Sequence, residues 1–216
     1  LQRGYQIIQL HFIYLGLIFI FLSSFQVTAQ NADIDWLRKI NSSGTNNKGA
    51  HKFQSALSFS VYPAMAIVPA SIFTCGLIKK DTFLLNAGLC VAAGIAINAG
   101  ITLAAKYAIN RDRPYVTYPS LQPYQKEITP SMPSGHTSSA FAVATSLTMF
   151  HPKWYVVIPS YAWAGSIAYS RMYLGVHYPS DVIAGAIVGS GSAWLTWYIN
   201  KKIFGKKITK RKSIAE

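Results

Sequence analysis

Three short stretches of this chain carry residues able to do chemistry. They are KYAINRDRP, with Lys106, Arg111, Arg113 and Pro114; PSGH, Pro133 to His136; and SRMYLGVHYPSD, which places Arg171, His177 and Asp181 between Ser170 and Asp181. Brought to one spot, Lys106, Arg113 and Arg171 would repel one another, and the acids nearby are few: Asp112, Glu127 and Asp181. An anion with two or more negative charges resolves that conflict, and guanidinium forks match phosphate oxygens geometrically. A helix opening at Ser134 adds backbone N–H groups and its positive dipole end, and Gly135 lets an anion come close to the backbone. His177 and Asp181 are four apart with Pro179 between them, which puts Asp181 in the first turn of a helix. From there its carboxylate can accept a hydrogen bond from one ring nitrogen of His177, fixing the tautomer and leaving the other nitrogen as a nucleophile. His136 is then available to protonate a leaving oxygen. Phosphate ester hydrolysis is among the slowest uncatalysed reactions, so stabilisation by three cations is in proportion to the task. Taken singly, each cluster has a plainer reading: Lys106 and Arg113 as interfacial anchors, Ser134 as a helix N-cap, His177 as a satisfied interfacial histidine.

Whether the clusters meet depends on the elements between them. Of the 216 residues, 51% are hydrophobic and only 12% charged, where soluble domains carry about 25% charged. Five runs are free of Asp, Glu, Lys and Arg: Phe53 to Ile78, Thr82 to Ala105, Ser134 to Phe150, Trp154 to Ser170, and Val182 to Asn200. The first two exceed the ~20 residues that cross a bilayer, and the last three are shorter and need flanking residues or tilt. The expected fold is therefore all-α, a polytopic membrane helical bundle with five core transmembrane helices. Pro63, Pro69 and Pro159 predict kinks, and Gly185 and Gly189, four apart, offer a close-packing helix face.

The first 29 residues hold an apolar core, Phe12 to Leu22, then VTAQ. That is the layout of a signal peptide cleaved after Ala29, or of an uncleaved sixth helix. Residues 30–52 are polar, with Ile34, Leu37 and Ile40 spaced for a short amphipathic helix at the membrane interface. Residues 53–200 form the membrane domain and 201–216 a basic tail. Lys79 and Lys80, His151 and Lys153, and the tail all fall on one side of alternating spans, which the positive-inside tendency makes cytoplasmic. The three chemical clusters then share the exterior face. Net charge is +13, yet seven of the twenty basic residues lie in Lys201 to Lys212 directly after an apolar run, a pattern for anionic lipid and not for nucleic acid. Cys75 and Cys90 sit inside apolar runs as small packing residues, and no Cys/His spacing suggests a metal site.

Lys-x6-Arg-Pro (Lys106, Arg113, Pro114), Pro-Ser-Gly-His (Pro133 to His136) and Ser-Arg-x5-His-x3-Asp (Ser170, Arg171, His177, Asp181) resemble the full three-part signature of the type 2 phosphatidic acid phosphatase superfamily. The resemblance covers about residues 55 to 200. It implies a helical bundle and a lipid phosphatase that needs no metal or other cofactor and works through a phosphohistidine. It makes His177 the nucleophile, Asp181 its orienting partner and His136 the general acid. Lys106, Arg113 and Arg171 become phosphate ligands, joined by Ser134 and Gly135. Arg111 and Asp112 fall at variable positions and receive no role. The implied setting is a bacterial inner membrane, with the active site facing the periplasm and a phosphorylated lipid as partner. Undecaprenyl diphosphate, phosphatidylglycerol phosphate, phosphatidic acid and lipid A phosphates all suit such a site. A lipid phosphotransferase with the same phosphohistidine chemistry is the alternative, and a silent lipid-phosphate-binding protein is a more distant one. The family's soluble acid phosphatases and vanadium haloperoxidases do not fit five membrane-length runs, and oligomeric state is not legible.

Overall fold

Pro63 interrupts the first apolar run. It has no N–H for the carbonyl of Phe59, and in the computed structural model the run divides at Ser60 into α2 (Lys48–Phe59) and α3 (Val61–Lys79). The structure describes residues 32–41, 47–121 and 123–212, with side chains through residue 203. Before these two helices lies α1, residues 32–41. After them come α4 (Thr82–Ile109), the single turn α5 (Pro114–Thr117), α6 (Gly135–Phe150), α7 (Trp154–Tyr173) and α8 (Pro179–Lys212). The described residues contain no strand. The suggested signal segment, residues 1–29, lies outside them.

Helix ends follow local chemistry. Lys80 closes α3 in the left-handed conformation, and Asp81 caps α4 by accepting from the N–H groups of Phe83 and Leu84. Asn110, also left-handed, ends α4 just after Lys106. Between α7 and α8 the chain reverses through Gly175 at φ 70°, a conformation that favours glycine, and His177 follows within reach of Arg113.

Among the described residues, three segments are long and apolar enough to cross a membrane: Lys48–Lys79, Thr82–Thr117 and Pro179–Ile203. The five-helix expectation is thus met by three segments on length and composition. Helix α6 falls short for a physical reason. It is 16 residues of mostly Ala, Ser and Thr, and His136, Thr137, Ser138, Ala140 and Ala142 to Ser146 are buried. It packs against α3, α4, α7 and α8, so it faces protein where the longer helices offer their apolar sides outward. The glycine face expected on α8 is real. A Cβ at Gly189 would sit 2.0 Å from the Ser138 carbonyl oxygen, and one at Gly185 2.7 Å from that of Ser134. This crossing brings the start of α6 against the start of α8, where the Ser134 N–H donates to the Asp181 carbonyl at 2.9 Å.

Helix α1 is amphipathic as expected, but its apolar face covers protein. Ile34 and Leu37 are buried with Leu121 and Tyr178, while Trp36 is exposed. Cys75 and Cys90 are both free thiols.

Candidate active site

Lys106 occupies the last turn of α4, and its Nζ donates to the carbonyls of Pro130 at 2.5 Å and Ser131 at 3.3 Å. Arg113 is extended, as a residue before proline tends to be. Its guanidinium is held on several sides: Nε on the Thr129 carbonyl (2.8 Å), Nη1 on the Val176 carbonyl (3.0 Å) and Nη2 on the Thr129 hydroxyl (3.2 Å). Arg171, in the last turn of α7, donates from Nη1 to the Ser58 hydroxyl at 2.8 Å. Both arginine side chains are only 3% exposed, and they share one carboxylate. Glu127 Oε2 lies 2.8 Å from Arg113 Nη2, and its Oε1 pairs with Arg171 Nη2. Burial alone would raise the Glu127 pKa, but Arg171 and Arg113 outweigh it and hold the group at about 2.

His177 and Asp181 meet on the other wall. His177 Nδ1 is 3.5 Å from Asp181 Oδ2, and the Ser131 hydroxyl stands between them, 2.5 Å from that oxygen and 3.4 Å from Nδ1. The Tyr178 N–H also donates to Oδ2, at 3.0 Å. Asp181 Oδ1 accepts from Arg111 Nη1 at 2.7 Å. Arg111 in turn donates from Nη2 to Asp33 of α1 at 3.0 Å and from Nη1 to the Ser180 hydroxyl at 2.6 Å, and it stacks 4.0 Å over the Tyr178 ring. The free nitrogen of His177, Nε2, is 3.4 Å from Arg113 Nη1. Burial depresses the His177 pKa to about 4; the Asp181 hydrogen bond pulls it upward, and Arg171 and Arg113 push it further down. The ring is therefore neutral near pH 7, as a nucleophile requires.

His136 stands in the first turn of α6, flanked edge-on by Phe59 and Tyr62. Its Nε2 is buried and has no hydrogen-bond partner among the described residues. A cavity of about 250 Å³ opens beside it, lined by the polar Lys106, Glu127 and Thr129, by Gly135, and by the apolar Val61, Met65 and Leu103. Gly135 lies beside the Lys106 stem, whose Cε would be in ordinary contact, 3.8 Å, with a Cβ placed there. The Ser134 hydroxyl makes no cap hydrogen bond with the helix backbone and instead accepts from Thr137 at 3.0 Å. All eight residues singled out in the sequence thus lie around one site. Among the described residues, no group of three or more His, Cys, Asp or Glu side chains is arranged to hold a metal ion.

Residues 87–204 match the PAP2 superfamily, more than half of the chain. The chain belongs to that family. It is 39% identical over 71 residues to the lipid A 4'-phosphatase of Bacteroides thetaiotaomicron, covering 33% of this chain and 32% of that protein. To the undecaprenyl-diphosphatase of Sulfolobus acidocaldarius it is 40% identical over 78 residues, covering 36% and 37% respectively. The aligned part thus spans about a third of the length of these relatives. A crystal structure of a transmembrane PAP2-type phosphatidylglycerolphosphate phosphatase from Bacillus subtilis superposes with a TM-score of 0.68 over 88% of this chain and 96% of that one, at 23% identity. That likeness establishes the shared fold.

Four further residues enter this PAP2 site without having been assigned a role from the sequence: Glu127, Ser131, Arg111 and Asp33. One signal was available for two of them, Glu127 and Asp33. The chain has only seven acidic residues, so an acid near a cluster of cations is a conspicuous feature.

Proposed function

We propose that the protein is an integral membrane lipid phosphatase that hydrolyses a phosphate or diphosphate ester through a phosphohistidine. The observation that carries this reading is the cavity itself: Lys106, His136 and Glu127 line it together with apolar side chains of α3 and α4, and Glu127 joins it to the buried Arg113 and Arg171. A lipid phosphate has that same polarity, a multiply charged head on an apolar tail.

In the proposed reaction, Lys106, Arg113, Arg171, the Ser134 hydroxyl and the Gly135 N–H hold the phosphoryl oxygens. His177 Nε2 attacks phosphorus as the bond to the lipid oxygen breaks, and His136 gives its proton to that oxygen. His136 then takes a proton from water as the water oxygen attacks the phosphohistidine, releasing phosphate and restoring both histidines. Asp181 orients His177, and Arg111 and Ser131 are positioning residues for Asp181. The substrate class is shared with the relatives named above: lipid A phosphates, undecaprenyl diphosphate, or a phosphatidyl phosphate. Lys79, Lys80, Lys153 and the basic end of α8 lie at the helix ends opposite the site, which supports an inner membrane setting with the site facing the periplasm.

The test is phosphate release from a panel of purified lipid phosphates. His177→Ala is expected to lose at least ~10³-fold in turnover on every substrate the unaltered chain accepts. Retained turnover would remove His177 as the nucleophile.

A further inference from the structure

A site reached from the bilayer meets far more phosphodiester lipids than phosphomonoesters. Both carry an anionic phosphorus group on an apolar tail, so the cavity walls do not separate them. Charge does: a phosphodiester has one negative charge, whereas a phosphomonoester has about 1.5 to 2 near neutral pH.

We propose that Glu127 is a specificity-determining residue, a built-in carboxylate competitor for the arginine pair that a doubly charged phosphate displaces and a singly charged phosphodiester does not. This rests on the phosphatase reading above. The geometry supplies four supports. The two carboxylate oxygens of Glu127 divide between Arg113 and Arg171, as two phosphoryl oxygens would. Glu127 also lines the cavity, and its side chain is 25% exposed where both arginines are 3% exposed.

The arginines keep their places when the carboxylate leaves. Arg113 remains bound to Thr129 and Val176, and Arg171 to Ser58. Finally, the backbone of Glu127 is pinned: its N–H donates to the Tyr115 hydroxyl at 3.0 Å, and that hydroxyl donates to its carbonyl at 2.9 Å. Displacement is therefore a side-chain rotation that requires no loop movement. An intramolecular carboxylate competes at an effective concentration on the order of millimolar or more. A singly charged headgroup exchanges one negative charge for another and gains nothing, while a dianion adds attraction to both guanidiniums and to Lys106. Acid does not relieve the competition, since the two arginines keep Glu127 ionised down to about pH 2.

The experiment uses the full chain in mixed micelles. Inorganic phosphate binding is measured by calorimetry, and inhibition of phosphatidic acid turnover is measured with phosphatidylglycerol as the phosphodiester competitor. Glu127→Gln is expected to bind phosphate roughly tenfold more tightly and to be half-inhibited at roughly a tenth of the phosphatidylglycerol fraction, the loss of about one charge-assisted contact. Glu127→Asp keeps the charge on a shorter stem, and its phosphate affinity is expected to fall between those of the unaltered chain and Glu127→Gln. Phosphate affinity unchanged or weakened in Glu127→Gln would overturn the proposal, as would equal phosphatidylglycerol inhibition in the two forms. A measurement on the unaltered chain covers misfolding of the variant. Methylphosphonate as a dianion should compete with phosphate and dimethyl phosphate should not; equal competition by both would overturn the proposal. If the unaltered chain releases no phosphate from any lipid, the phosphatase reading falls, while calorimetry still decides the role of Glu127.

Discussion

Arg111→Gln tests the least visible part of the proposed mechanism. The side chain of Asp181 is fully buried, and the guanidinium of Arg111 reaches it at 2.7 Å while itself only 16% exposed. Asp33 and the Tyr178 ring fix that guanidinium in turn, at 3.0 Å and 4.0 Å. Removing one partner of a buried ion pair costs ~3–5 kcal/mol when the other is left bare. Here Asp181 keeps the Ser131 hydroxyl and the Tyr178 N–H on its second oxygen, so the loss is nearer one charge-assisted hydrogen bond, ~1.5–3 kcal/mol. Spent on the orientation of His177, that is a fall in kcat of about 10- to 100-fold. Arg111 does not line the cavity, so KM should change by less than about threefold. Arg111→Lys keeps the charge but loses the fork, and an intermediate kcat is expected. The assay is steady-state phosphate release in micelles, with folding monitored by thermal unfolding. Unchanged kcat in Arg111→Gln would refute the positioning role. So would a tenfold rise in KM with kcat intact, which would make Arg111 a phosphate ligand.

Two further outcomes are expected. Ring-nitrogen NMR of the histidines should show His177 titrating near pH 4, because burial disfavours its protonated form; with the folded value below the ordinary 6.5, the neutral ring persists as pH falls to about 4, and a midpoint near 6.5 would contradict the described environment. Gly189→Ala should lower the unfolding midpoint by an amount equivalent to ~1–3 kcal/mol, since its Cβ would meet the Ser138 carbonyl at 2.0 Å. Gly191→Ala, with nothing within 4 Å, should leave the midpoint unchanged or raised by no more than the helix-propensity gain of ~1 kcal/mol.

The residues that do the proposed chemistry were legible because they lie at helix ends, where sequence and geometry are tightly linked. Lys106 precedes the Asn110 that ends α4, Ser134 and Gly135 open α6, and Pro179 starts the helix that carries Asp181. The charge-free runs predict these ends on one face. The same hydropathy reading was less informative about α6. A helix enclosed by four others has no lipid to face, so small and polar residues such as Ser138 and Thr145 replace apolar ones, and length and composition stop reporting whether it crosses. Amphipathicity was equally mute about α1: Ile34 and Leu37 announce one apolar face, and nothing in their spacing says whether lipid or Leu121 and Tyr178 will cover it.

Glu127, Ser131 and Asp33 were hidden for a different reason. Their roles depend on pairs that no periodicity links: Asp33 with Arg111 across 78 positions, Ser131 with Asp181 across 50, Glu127 with Arg171 across 44. Charge scarcity nevertheless constrains such pairs strongly. With seven acids against twenty basic residues, and a low-dielectric bundle in which an unpaired charge is costly, Asp33, Glu127 and Asp181 each have a cation to satisfy. Asp33 and Asp181 take Arg111, and Glu127 takes Arg113 and Arg171. The division has a consequence for function. Arg111, bound by two carboxylates, is electrically satisfied and has no charge to offer a substrate. Arg113 and Arg171 share a single carboxylate and retain a net positive charge for an incoming anion. The same count that explains which ion pairs form also separates the arginine that positions from the two that bind.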